Sequence, residues 1–178
     1  SEGTGPDLTL DISEGANFMA VNAYCIIADR PGNSPSKADA VDILSFSWGA
    51  SNTATYGAGS SGRESRAGRV SCSDVSIMKV TDKLTPLLFD DCATGNVLSK
   101  VEIIYDKPMG EGQEDYFKIE MEDVLITSVQ LSGSSENPTE SISFAYEKIK
   151  VMYNPEDDEG NLAGFVEKGY DLGTLKPF

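Results

Sequence analysis

The sequence predicts a mainly β protein: a small antiparallel β-barrel of two packed sheets, with one short α-helix and one extended loop. Three observations carry that expectation. Segments in which apolar and polar residues alternate recur along most of the 178-residue chain, as half-buried strands require. No strand–helix–strand rhythm and no internal repeat points to a parallel sheet or a solenoid. Two long segments change parity midway, which carries a strand from one packed layer onto another. The 19.1 kDa chain suits one domain with a real core.

Taken in order, residues 1–18 are set apart as an N-terminal leader or added arm, because Met19 opens MAVNAYCIIAD in the manner of a protein start. Within that arm Leu8, Leu10 and Ile12 alternate as a short edge strand would. Residues 19–178 form the single barrel domain. Residues 20–28 are apolar and β-branched on both faces, and 30–40 are a loop rich in Gly, Pro and Ser. Residues 41–52 alternate, so that Leu44, Phe46 and Trp48 face the core while Ile43, Ser45 and Ser47 form a nearly featureless opposite face. Residues 53–68 are too polar and glycine-rich to pack alone and read as a long contact arm, and 69–80 return to strand.

The helix follows. Thr85 is expected to cap it, Pro86 suits its first position, and Gly95 fits a left-handed stop. Leu84, Leu88 and Cys92 make its apolar stripe, with Asp90 and Asp91 on a polar face. Residues 97–106 and 116–121 read as a hairpin about the turn 107–113. The alternation resets after Glu122 and Asp123, which predicts a bulge or sharp bend. It resets again between Tyr146 and Ile149 in the strand 140–153. An acidic loop at 154–164 leads to a last strand at 165–172.

The chain carries 29 Asp and Glu against 14 Lys and Arg, a net charge of −15. Such a charge disfavours nucleic acid and anionic membranes as partners, and no apolar run approaches the ~20 residues that insert as a helix. The absence of His excludes Ser-His-Asp and Cys-His catalysis and His-bearing zinc sites. Cys25, Cys72 and Cys92 are too widely spaced for a disulfide framework or metal knuckle and suit folding in a reducing compartment. The acidic N-terminus lacks the positive start of a Sec signal. GAGSSG has no Gly-Lys-Ser ending and is no phosphate loop. Glu102, Glu120 and Glu122 alternate with core residues and read as a solvated face. The acidic loop Glu156–Glu159, with Asn154 and Asn161, lacks the ligand spacing of an EF-hand. No catalytic, cofactor or metal residue is assigned. A monomeric acidic ligand-binding barrel and a carboxylate hydrolase stand as alternatives, and oligomeric state separates them from an assembling protein.

Six segments in order carry a resemblance: MAVNAYCIIAD, DILSFSWGASN, DVSIMKVTDKLTPLLFDDCATG, EDVLITSVQLSG, ESISFAYEKIKVMY and EKGYDL. From Met19 to about Asp171 the chain resembles the Hcp (haemolysin-coregulated protein) family, the tube protein of type VI secretion systems. Departures lie in the loop 30–40, the arm and the tail GTLKPF. The resemblance implies a non-enzymatic homohexameric ring, stacked with other rings into a tube that works with sheath and spike proteins. It implies assembly in the bacterial cytoplasm, then delivery outside or into a target cell without a Sec signal. It places Ser47, with Ser45 and Ile43, on a lumen that holds small effector proteins. The arm carrying Arg63, Glu64 and Arg66, with Arg69 at its foot, would reach the next ring, its arginines answering carboxylates on the facing rim.

Overall fold

Three long neighbouring strands frame the molecule. The computed structural model describes residues 21–53, 69–110 and 112–178. Its elements are β1 (Asn22–Ile27), β2 (Ala40–Asp42), β3 (Ser45–Ser47), β4 (Ala50–Asn52), β5 (Val70–Cys72), β6 (Val75–Val80), α1 (Thr85–Thr94), β7 (Val97–Met109), β8 (Gly112–Ser132), β9 (Thr139–Tyr153), β10 (Val166–Asp171) and β11 (Lys176–Pro177). Every pairing is antiparallel, and the order β2-β1-β7-β8-β9 is continuous. The far edge of β9 is shared: β6 takes residues 139–144 and β10 takes 148–153. β3 then lies on β6, and β11 on β10.

The sheet closes at two consecutive residues. Ile43 N donates to Ala23 O of β1 (3.0 Å), and Leu44 N donates to Met78 O of β6 (2.7 Å). The expected two layers are therefore two sides of one closed sheet, with β8 and β9 running through both. Around the interior, β1, β2, β6, β7, β8 and β9 all contribute to one core that includes Cys25, Val41, Ile77, Val101, Met121 and Phe144.

The closure corrects one expectation. Ile43 is 6% exposed and belongs to the core, while Leu44 is 61% exposed. Changing partner strand at these two residues offsets the parity of β3 from that of β2, so Val41 and Ile43 point inward before the step and Phe46 after it. Ser45 and Ser47 are exposed as expected.

The parity breaks in β8 and β9 are present, and β7 has a third. Each is a pair of core residues separated by two polar ones: Leu98 and Val101, Met121 and Val124, Tyr146 and Ile149. Strand register brings the three together. Leu98↔Val124↔Tyr146 flank one side and Lys100↔Glu122↔Lys148 the other, leaving Ser99, Asp123 and Glu147 level between them. Asp123 there has φ +52°, a left-handed conformation that Asp tolerates better than most residues. The Glu147 carbonyl turns aside to accept from Leu172 N (2.8 Å). The sheet thus bends along one line.

Helix α1 differs from expectation at its start and on its polar face. Leu84 is the N-cap residue, Thr85 is already helical, and Pro86 lies in the first turn. Asp82 Oδ1 accepts from Leu84 N (2.9 Å), and the Thr85 hydroxyl accepts from Asp82 N (3.0 Å). Gly95 has φ +67° and ends the helix as predicted. Asp91 is 1% exposed rather than solvated. Arg30 holds it with two bonds, Nε to Oδ2 (2.9 Å) and Nη2 to Oδ1 (2.7 Å), while Asn96 Nδ2 donates to Oδ1 (2.9 Å). A planar guanidinium meets a carboxylate best in this paired manner. The expected strand 69–80 is divided into β5 and β6, and the tail adds β11 beyond the expected last strand.

One ion pair is wholly enclosed. Lys79 and Glu140 face each other in register, both side chains are 0% exposed, and Nζ lies 2.5 Å from Oε1. Lys79 also reaches Asp82 Oδ1 (2.8 Å), which ties β6 to the helix cap. Among the described residues Glu140 has no other polar partner. Lys79→Met alone, which strands the Glu140 carboxylate, is expected to cost about 3–5 kcal/mol, Glu140→Gln less because Lys79 keeps Asp82, and Lys79→Met with Glu140→Leu far less than the first, because a lone buried charge is worse than none. Urea unfolding of the three variants checks this; equal losses in single and double variants would contradict it.

Candidate functional site

The bend divides the outer surface into two chemically different halves. On one side, the outward positions of β3, β6, β9 and β8 line up across the sheet. One row is Ser47↔Ser76↔Ser143↔Ser128, the next Ser45↔Met78↔Ser141↔Gln130, and a third Val80↔Thr139↔Ser132. No position in these rows carries a charge, in a chain of net charge −15. Ser76 and Ser143 share a hydrogen bond between their hydroxyls (2.9 Å). At its margin the Thr127 hydroxyl donates to Asp74 Oδ2 (2.7 Å).

The inward residues hold this wall in place. Phe46 packs against Tyr105 and Phe117, with ring centroids 5.6 and 5.8 Å away. Trp48 Nε1 donates to the Tyr146 hydroxyl (2.6 Å), which donates to Ser73 O (2.8 Å). Burial pushes the Tyr146 phenol up to about 12, so it stays a donor at physiological pH. With Phe46 and Trp48 fixed inward, alternation sends Ser45 and Ser47 outward. Ile43, on the inner side of the barrel wall, does not join them.

Across the bend the surface is a charge ladder. Lys100 lies 3.1 Å from Glu102 and 3.5 Å from Glu120, Lys148 lies 3.4 Å from Glu122, and Lys150 lies 3.8 Å from Glu167. Glu102, Glu120 and Glu122 are each engaged by a lysine on this open sheet face. In the acidic loop, Asp157 Oδ1 accepts from Glu159 N and Asn161 N (2.9 Å each), so that carboxylate organises its own turn.

The serine wall ends at the two strands that flank residues 54–68, the segment expected to form the contact arm. β4 and β5 pair as a separate two-stranded ladder, Ala50↔Cys72 to Asn52↔Val70, and Gly49 N donates to the Ser73 hydroxyl (3.0 Å). Arg69 is exposed at its foot. Arg63, Glu64 and Arg66 lie outside the described residues. Sequence reasoning found Ser45 and Ser47 and missed their neighbours Ser76, Ser128, Ser141 and Ser143. The alternation in ESISF and DVSIM was visible, but only register shows that these serines adjoin.

A protein-family model described as type VI secretion system effector, Hcp, matches residues 24–153, from within β1 to the end of β9. The chain belongs to the Hcp family. Protein hcp1 of Pseudomonas aeruginosa is 33% identical over 159 residues, spanning 86% of this chain and 96% of the relative. A solved type six secretion system protein superposes with a TM-score of 0.80 at 25% identity, over 89% of this chain and all of the other. Hcp1 from Salmonella typhimurium shares the fold, with a TM-score of 0.71 at 24% identity over 90% of this chain and 100% of its own.

The loop between β1 and β2 is fastened to this frame by charge. Asp115 on β8 meets Lys37 Nζ of that loop (2.7 Å) and Lys118 Nζ (2.9 Å). Burial pushes its carboxyl up, but the two ammonium groups outweigh burial and hold it below the usual range. A lowered carboxyl stabilises the fold above the unfolded-state pKa and loses that contribution as pH falls through the folded value. Asp115→Asn is therefore expected to lower the urea midpoint at neutral pH and to converge with the parent as pH falls below the ordinary carboxylate range. A difference independent of pH would refute the assignment.

Proposed function

We propose that this chain is the structural tube subunit of a type VI secretion system. Hexameric rings stack into the inner tube that sheath contraction expels, and the lumen holds and protects effector proteins. The observation that carries the reading is the uncharged serine wall on a strongly acidic chain. An acidic lumen would grip basic cargo and repel acidic cargo, whereas a neutral hydroxyl surface does neither strongly. Ser45 and Ser47 serve as lumen contacts, joined by Ser76 and Ser143. Open strand edges invite association, and a closed ring satisfies them by symmetry. The subunit is not an enzyme; its partners are other copies, sheath, spike and cargo. It assembles in the cytoplasm and leaves with the tube. A ligand-binding barrel is not favoured, because Val101, Ile103, Met121 and Phe144 fill the interior.

Light scattering on a sizing column, with negative-stain imaging, is expected to give six times the 19.1 kDa chain mass and annular particles; a monomer would overturn the reading. Ser47→Gln, which adds bulk to the wall, is expected to lower the abundance of co-purified effectors while rings persist. Unchanged cargo would count against the lumen assignment. Arg66→Glu together with Arg69→Glu is expected to reduce tube formation at low salt more than ring formation, since each exposed pair is worth only about 0.2–1 kcal/mol but repeats around the ring. Equal loss of both would remove the arm from stacking.

A further inference from the structure

The β4–β5 ladder stands apart from the barrel. Among the described residues neither strand pairs with any other, and each joins the closed sheet through a short joint, Trp48 and Gly49 on one side, Ser73 and Asp74 on the other. The two joints are clasped together. Gly49 N donates to the Ser73 hydroxyl (3.0 Å), that hydroxyl donates to Gly49 O (3.1 Å), and Ser73 N donates to Gly49 O (2.9 Å). On the barrel side of the clasp, the Thr127 hydroxyl of β8 holds Asp74 Oδ2 (2.7 Å). A short ladder joined at one clasp turns there as a unit, since a hinge needs only a few residues at the ends of elements.

One hydroxyl opposes that turn. Tyr146, on β9 at the bend, accepts from Trp48 Nε1 (2.6 Å) and donates to Ser73 O (2.8 Å). It fastens both joints to the barrel at once.

A hollow of about 280 Å³ separates the ladder from the neighbouring part of the sheet. Val70 and Cys72 line it from the ladder, and Ile149, Val151, Lys168 and Tyr170 line it from β9 and β10. Most of that lining is hydrocarbon or aromatic ring, which gives water few partners. Swinging the ladder across would take apolar surface on both sides out of water, a favourable change. Burial thus draws the ladder toward β10, and directed hydrogen bonds hold it off.

We propose that the β4–β5 ladder is a hinged strap with two positions, standing as in this structure and closed on β9 and β10, and that the Tyr146 hydroxyl is the latch that keeps it standing. Residues 54–68 connect its two strands, so the position of the strap sets where that segment leaves the barrel. The inference is independent of the serine wall and of the lumen reading.

The test traps the closed position with a disulfide. Lys168 is exposed on β10, and Lys168→Cys sets a second thiol across the hollow from Cys72. Cys92→Ser removes the other half-buried thiol, and Cys25 is buried. Diamide is added to the full chain carrying these two changes, with Tyr146 or with Tyr146→Phe. Mass spectrometry of the intact chain without reductant separates a bond within one chain from a bond between chains. The bond within the chain is expected to form about tenfold faster in Tyr146→Phe, the weight of about one buried hydrogen bond on the closed fraction. Equal rates would remove Tyr146 as the latch, and no such bond in either chain would overturn the strap. Amide hydrogen exchange at Ile103 and Met121, in the barrel core, is expected to be the same in both chains. Faster exchange there in Tyr146→Phe would trace the trapping to general loosening and overturn the latch.

Discussion

The bend through Ser99, Asp123 and Glu147 governs the rest of the molecule. A strand has a side-chain period of two, so an apolar pair three residues apart reverses which face meets the core. One reversed strand would bury its charges. Three neighbouring strands reversing at the same level keep the core continuous, from Leu98, Val124 and Tyr146 on one side to Val101, Met121 and Ile149 on the other. The same reversal separates the outer chemistry into a hydroxyl wall and a charge ladder.

Closure depends on that bend. β9 offers one edge to two different partners, β6 before the bend and β10 after it, and it is β6 that brings β3 round to complete the barrel. Where the chain crosses from β1 to β6, two residues suffice, and they fix which of β3's side chains face outward. The enclosed Lys79–Glu140 pair lies on the β6–β9 seam. Its replacement by apolar residues is the kind of change that often preserves stability, so the pair is better read as a specifier of register than as a source of strength.

Local pattern made much of this legible. Glu122 and Asp123 interrupt an alternation, Glu147 and Lys148 interrupt another, and Gly95 marks a helix end; each signal lies within a few residues of its effect. What escaped reading depends on partners distant in the chain. Asp91 looks like a solvated helix residue until Arg30, 61 positions earlier, clasps it. Ile43 follows its local parity only while β2 keeps one neighbour. The serines of β6, β8 and β9 are unremarkable one at a time and become a surface only through register. Thr85 is a sound cap by composition, yet Leu84 takes the N-cap position without a side-chain cap, and Asp82, its carboxylate held by Lys79, bonds the Leu84 amide just ahead of the helix.

Trp48 is the single tryptophan of the chain, and its indole is bonded to Tyr146, whose hydroxyl reaches Ser73 between β5 and β6. Its emission is therefore a local optical signal from the foot of the arm. Opening of the β4–β5 ladder would change its colour and intensity, so a probe placed by the sequence at one residue reports on one joint of the fold.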